Sequence, residues 1–215
     1  QTLGRALRRD PRAAENFPQD VLELQAWLSN ESPLPGVVAV PGFGTDVPLY
    51  ILGSSMFGAS LAAKLGLPYS FASHFAPEHL EQATTYYREH YEPSQRVPEP
   101  YCIAAVNVIA ADTAEEADQQ QKIVHRERVR NFIGRRGTPL SEDQLDSVVE
   151  SYQGKQIVDM LRYTAKGTGT DVAEYLNWFK HHAKADELMI SLQAPSHADV
   201  LRSMEILANQ LELER

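Results

Sequence analysis

The stretch Leu49–Pro68, LYILGSSMFGASLAAKLGLP, narrows the folds open to this chain more than any other. Leu49, Tyr50, Ile51 and Leu52 make a short continuous apolar run after Pro48, the pattern of a parallel strand covered on both faces. Gly53, Ser54 and Ser55 break the run. Met56, Phe57, Ala59, Leu61, Ala62, Ala63 and Leu65 then predict a helix, which Gly66 stops and Pro68 keeps from resuming. The unit is strand, small hydroxyl turn, helix N-terminus.

The same alternation recurs downstream. Tyr69–Phe75 predicts a strand, and Pro77 opens a helix to about Tyr91 with Leu80, Ala83, Tyr87 and His90 facing inward. Tyr101–Ala111 is the clearest strand, apolar almost throughout. Thr113 with Glu116 three residues on has the capping-box pattern and opens a charged helix over Glu115–Val129. Ser141 caps a helix towards Ser151, and Gln156–Tyr163 predicts another. Lys166–Thr170, KGTGT, reads as a turn, with Thr170 or Asp171 capping a helix to His181. Glu187–Leu192 is the last strand. His197–Leu211 is the last helix, with Val200, Leu201, Met204, Leu207 and Leu211 on one face.

Upstream, Phe17–Leu28 predicts a helix with Pro18 in its first turn. Ser29–Gly44 is a Pro/Gly-rich connection in which Val37–Val40 reads as a short extra strand. Repeated strand–helix units imply a parallel sheet with right-handed crossovers. About four such units are half of an eight-stranded barrel, and four strands cannot close one. An isolated half would expose apolar strand edges. The expectation is that further strands precede Gln1 in the natural protein, or that a partner covers the gap.

Composition excludes more than it selects. The net charge of −9 disfavours a nucleic-acid partner. The apolar runs are too short to span a bilayer, so no membrane role is expected. The one cysteine, Cys102, lies in an apolar run and reads as a small buried hydrophobe; with no disulfide to form, it fits a reducing cytoplasm. No Cys, His and carboxylate set has metal-ligand spacing, and the adjacent His181 and His182 point apart on a helix.

In parallel α/β folds ligands sit at the carboxyl ends of the strands. That rule selects Gly53, Ser54 and Ser55; Ser73, His74 and Phe75; Ala111, Asp112 and Thr113; and Ser191, Leu192 and Gln193. A helix N-terminus can hold a phosphate on its unpaired N–H groups. At the first of these turns Gly53 permits close approach, Ser54 and Ser55 offer hydroxyls, and Gly58 keeps the first helical turn bare. A plain capped turn explains the same residues. His74 is the best-placed acid/base, because an imidazole titrates near neutrality; a histidine bonding a neighbouring loop is the alternative. Asp112 and Glu115 read as helix caps. Tyr86, Tyr87, Tyr91 and Trp178 read as helix-face packing. Arg5, Arg8, Arg9 and Arg12 read as a solvated segment, or as a mobile basic one near a phosphate.

LYILGSSMFGASLAAKLGLPYSFASHFAP, Leu49–Pro77, resembles the middle of the bacterial-luciferase-like flavin monooxygenases. GRALRRD (Gly4–Asp10), FPQDVLEL (Phe17–Leu24), VNVIAADTAEEA (Val106–Ala117), MLRYTAKGTGTDVAEYL (Met160–Leu176) and ADELMISL (Ala185–Leu192) resemble the same family in the same order. Only Arg130–Lys155 falls outside the resemblance. It implies a TIM-type (β/α)8 barrel, of which residues 1–215, one domain, supply about the last four βα units. The segment 130–155 would be an insertion or lid over the mouth, or a decorated crossover. The implied function is oxidation of a small organic substrate by O2 with reduced FMN, or in some branches a deazaflavin coenzyme. A separate flavin reductase and a homodimer are implied partners.

The family's phosphate contacts carry over to Gly53, Ser54, Ser55 and the backbone N–H groups of Met56, Phe57 and Gly58. Several relatives have an acid where Ser54 stands and a Thr where Gly58 stands. The family's early catalytic groups would lie before Gln1. The competing reading is a non-catalytic flavin-binding or subunit-type homologue.

Overall fold

A computed structural model describes residues 15–134 and 141–211. The arginines of the first dozen residues, the Gly4–Asp10 segment and the centre of the 130–155 segment lie outside the described residues. The chain divides at Tyr50 into two compact units.

The first unit contains helix α1 (Phe17–Leu28), with Pro18 in its opening turn and Asp20 near the positive end of its dipole. The expected strand at Val37–Val40 does not form. Pro35 and Pro41 lack the N–H a ladder needs. Gly36 and Gly44 take φ of 78° and 73°, so the segment turns instead of extending. Its bonds are short-range: the Ser32 hydroxyl donates to the carbonyl of Val37, and Gly44 N–H to that of Ser29 at 3.0 Å.

The second unit is a parallel sheet with helices. In order it comprises β1 (Ile51–Gly53), α2 (Met56–Leu65), β2 (Tyr69–Phe71), α3 (Leu80–Glu89), β3 (Cys102–Ala110), α4 (Ala114–Gly134), α5 (Glu142–Glu150), α6 (Tyr152–Asp159), β4 (Thr164–Gly167), α7 (Gly169–His182), β5 (Glu187–Leu192) and α8 (His197–Gln210). All strand pairings are parallel: β1 with β2, β2 with β3, and β3 with both β4 and β5.

Strand β3 organises the sheet, and every one of its nine residues is buried. Its odd-numbered residues bond along one edge. Tyr101 O accepts from Tyr69 N–H, and Asn107 N–H donates to Tyr163 O, both at 3.0 Å. Its even-numbered residues bond along the other, Cys102 O accepting from Asp186 N–H and Val108 O from Gln193 N–H. So β2 and β4 share one edge of β3, near its start and near its end, while β5 has the opposite edge to itself. Where β5 stops, the Ser203 hydroxyl of α8 accepts from Ala110 N–H at 3.1 Å and keeps that buried donor paired.

Register assigns the two faces. Leu52, Ser70, Ile103 and Glu187 lie in one row, Ala105 and Met189 in the next on the same face. On this face Leu52 is 69% and Met189 53% exposed. The other face, carrying Ile51, Tyr69, Phe71 and Ala104, is buried. The expectation that the Leu49–Leu52 run is covered on both faces is therefore corrected: β1 is short and covered on one face. On this face β3 itself stays buried, and at its carboxyl end Ile109 packs with Ala117 and Val124 of α4.

Other boundaries differ from the sequence reading. Strand β2 ends at Phe71 and not at Phe75, because Ser73–Phe75 form a turn. KGTGT is not only a turn: its first two residues belong to β4, a fifth strand too short and polar to stand out. The cap of α7 is Thr168, whose side chain and that of Asp171 bond each other's backbone N–H groups. Helix α6 begins at Tyr152 under the Ser151 cap, ahead of the expected Gln156. On α3, His90 lies beyond the helix and is exposed, while Thr84 is buried. On α8 the buried positions are Ser203 and Leu207, and Leu201 and Met204 are half exposed.

Candidate functional site

Strand β1 ends at Gly53, and Ser54 and Ser55 carry the chain into α2 with Ser55 as N-cap. The serine and threonine caps of α5, α6, α7 and α8 all accept a backbone N–H. Ser55 does not. Its hydroxyl and that of Ser54 have no partner among the described residues, and Ser55 is exposed. From below, the Tyr69 hydroxyl donates to Ser55 O at 3.2 Å and fixes the turn. The turn thus presents two uncommitted hydroxyls at the positive end of a ten-residue helix.

The glycines of this turn serve packing. Gly58 is buried, and a Cβ there would lie 3.3 Å from the Tyr69 ring and 3.6 Å from Gly53 Cα. The two glycines let α2 settle against β1. Phe57 projects outward, 56% exposed.

His74 sits in the turn after β2, half-buried, with its ring edge against Phe75 at a centroid distance of 4.6 Å. Asn107, in the middle of β3 and fully buried, donates from Nδ2 to His74 O at 2.7 Å and holds that turn. Three polar atoms of this region are buried without a hydrogen-bond partner among the described residues: His74 Nδ1, Asn107 Oδ1 and Arg128 Nε. Burial lowers the His74 pKa below its usual value, and the positive charge of Arg128 lowers it further. Neutral imidazole is the favoured form.

The residues that follow β3 are committed to structure. Asp112 is gripped by the Arg202 guanidinium through both oxygens, at 2.5 and 3.1 Å, which holds its carboxyl below the usual range. Thr113 accepts from Glu116 N–H. Cys102 is fully buried and its thiol is pushed up to about 12, chiefly by desolvation. Among the aromatics, Tyr87 is buried, Tyr86 stacks on His90 and Trp178 on His182. Among the described residues no group of three or more His, Cys, Asp or Glu gathers to hold a metal ion, and no helix is long and apolar enough to cross a membrane.

Sequence reasoning missed Asn107 and Arg128. The signal for Asn107 was present, since it is the one amide in the strand CIAAVNVIA, and a buried amide needs partners. Nothing local marked Arg128, one of several arginines on a charged helix.

Comparison with known proteins gives a consistent picture. A family model described as luciferase-like monooxygenase matches residues 18–187. The chain is 37% identical over 214 residues to the uncharacterized protein YvbT of Bacillus subtilis, covering 97% of this chain and 63% of that one. It is 38% identical over 208 residues to a protein of Escherichia coli K12 named luciferase-like monooxygenase, covering 94% and 61%. The crystal structure of apo-MsnO8 superimposes with a TM-score of 0.78 at 27% identity, covering all of this chain and 65% of that one. The chain thus spans less than two thirds of the length of these relatives.

Proposed function

The chain belongs to the luciferase-like monooxygenase family, its parallel strands and helices forming part of that family's barrel, and from that premise we propose that it binds reduced FMN for the oxidation of a small organic substrate by O2. The observation that carries the cofactor assignment is the pair of uncommitted hydroxyls, Ser54 and Ser55, at the N-terminus of α2. A phosphate there would gain two hydroxyl donors and the helix dipole without any cation. Reduced FMN, when bound, would supply the two electrons that convert one oxygen atom of O2 to water while the other enters the substrate.

The protein's own residues have narrower tasks. Ser54 and Ser55 bind the phosphate, and Tyr69 keeps their turn in place. Gly53 and Gly58 allow the close helix–strand contact on which that turn depends. His74, its pKa lowered by burial and by Arg128, supplies a neutral imidazole as the proposed acid/base. Asn107 fixes the backbone of the His74 turn. A separate flavin reductase and a second copy of the chain complete the proposed assembly. FMN is favoured over a deazaflavin coenzyme.

Titration with FMN and reduced FMN tests the assignment, with Ser54→Ala/Ser55→Ala alongside. Hydrogen bonds to a charged group contribute about 1.5–3 kcal/mol each, so losing two should weaken binding by about 100-fold or more. Unchanged affinity in the double variant would move the phosphate elsewhere. No FMN binding by the folded protein would remove the cofactor from the reading.

A further inference from the structure

The most unusual charge in the described structure is Arg128. Its helix α4 carries arginines on either side that are fully engaged. Arg126 pairs with Glu142 at 2.7 Å and with Asp146, and Arg130 with Glu127 and Glu142, both at 2.8 Å. Arg128, between them and half-buried, has no ion pair or hydrogen bond among the described residues, and its Nε is buried without an acceptor. A buried guanidinium N–H left unpaired has lost its water without gaining an acceptor in return.

Arg128 lines a cleft of about 230 Å3. The cleft lies beyond the carboxyl end of β5, because Gln193, the first residue after that strand, forms part of its wall. Asn131 and Gln193 bring amides to it, one Gln193 N–H already donating to Ser191 Oγ at 2.9 Å, and Ile123, Val124, Leu161 and Pro195 add apolar wall. Glu127 also borders it, but its carboxylate is occupied by Arg130. A slot of mixed lining, with apolar wall on one part and one unpaired guanidinium and two amides on the rest, matches a short carbon chain ending in an oxyanion.

We propose that this cleft binds the carboxylate of a small aliphatic or aromatic substrate, with Arg128 as the anion-binding residue. The carboxylate accepts from Arg128, supplying the acceptor that the buried Nε lacks. The amides of Asn131 and Gln193 orient it, and the apolar walls hold its carbon chain. Because the charge of Arg128 acts on His74, the bound carboxylate lies where it would offset that influence. That the bound acid is a substrate, and not only a ligand, rests on the monooxygenase reading.

The test uses the intact protein with butyrate, hexanoate and benzoate as probes and hexanamide as the neutral control. Binding is followed by calorimetry, and the His74 imidazole by NMR across pH. At least one of the three acids should bind, and hexanamide should bind at least tenfold more weakly than hexanoate. Arg128→Gln should weaken acid binding tenfold or more, and Arg128→Lys should retain part of it. The His74 titration midpoint should rise on adding acid, rise likewise in Arg128→Gln, and no longer respond to acid in that variant. Failure of all three acids to bind, equal binding of hexanamide, or undiminished binding by a folded Arg128→Gln would overturn the proposal. FMN titration of the same samples separates this outcome from failure of the cofactor assignment. Arg128→Gln should leave FMN affinity unchanged, whereas an FMN failure leaves acid binding at Arg128 intact.

Discussion

Replacing Tyr87 by Phe removes one oxygen atom from the most heavily bonded side chain of the core, and its cost can be worked out. Tyr87 is fully buried. Its hydroxyl donates to Leu67 O at 2.9 Å and accepts from Tyr101 N–H at 3.1 Å, joining the end of α2 to the entry of β3. The ring packs against Tyr69 and Tyr91, each at 5.4 Å between centroids, and a phenylalanine would preserve both contacts. The loss is therefore polar: a buried carbonyl loses its donor and a strand-entry N–H loses this acceptor, at about 1–3 kcal/mol per stranded group. Because the strand-entry N–H is only partly buried, we expect about 2–4 kcal/mol in total. For a domain of this size each kcal/mol lowers Tm by about 2–4 °C, so the drop should be roughly 5–15 °C. Thermal unfolding followed by circular dichroism reads it directly. Tyr91→Phe is the matched control, since its hydroxyl makes a single, partly exposed bond to Val97 O. A Tyr87→Phe variant that melts within 2 °C of the wild type, or no lower than Tyr91→Phe, would refute the claim that this hydroxyl joins the two elements.

Two further outcomes are expected. Gly167→Ala should destabilise by at least about 2 kcal/mol, because Gly167 sits at φ 133° and a Cβ there would meet the Asp171 carboxylate at 2.6 Å, breaking the α7 cap; chemical denaturation measures it, and a change below 0.5 kcal/mol would show that β4 and its cap are not coupled. Stability should fall at alkaline pH. Burial pushes the Cys102 thiol up to about 12 and raises the Tyr69 and Tyr87 phenols, so the folded state keeps protons that the unfolded chain releases from about pH 8.5 to 10. The contribution is complete below that range and is lost as pH rises, so the urea midpoint should decline from about pH 9 upward, and a flat profile to pH 11 would contradict it.

Much of this protein was legible because its signals are local. Helix α1 and strand β5 have the predicted bounds, and the Ser141 and Thr113 caps form as the sequence indicates. Gly66 ends α2 in the left-handed conformation that a stop signal implies. The continuous apolar run of β3 marked a strand in which every residue is buried. Periodicity, caps and breakers act within a few residues, so the chain itself carries them. The serine turn before α2 was readable for the same reason.

What the tertiary structure decided is non-local. Strand β4 exists because residues 164–167 find the free upper edge of β3, and nothing in TAKG announces a partner more than fifty residues away. Leu52 and Met189 are exposed because register places them on the open face, a property of neighbours and not of the residues. The meeting of His74, Asn107 and Arg128 is of the same kind. A turn, a strand and a helix, spread over more than fifty residues, converge because α4 folds back over the carboxyl end of β3, where Val124 covers Ile109. Burial then sets their chemistry by stranding three polar atoms and lowering the imidazole's affinity for a proton. Sequence determines which residues can be polar in a core; only the packed fold determines which of them are left without a partner.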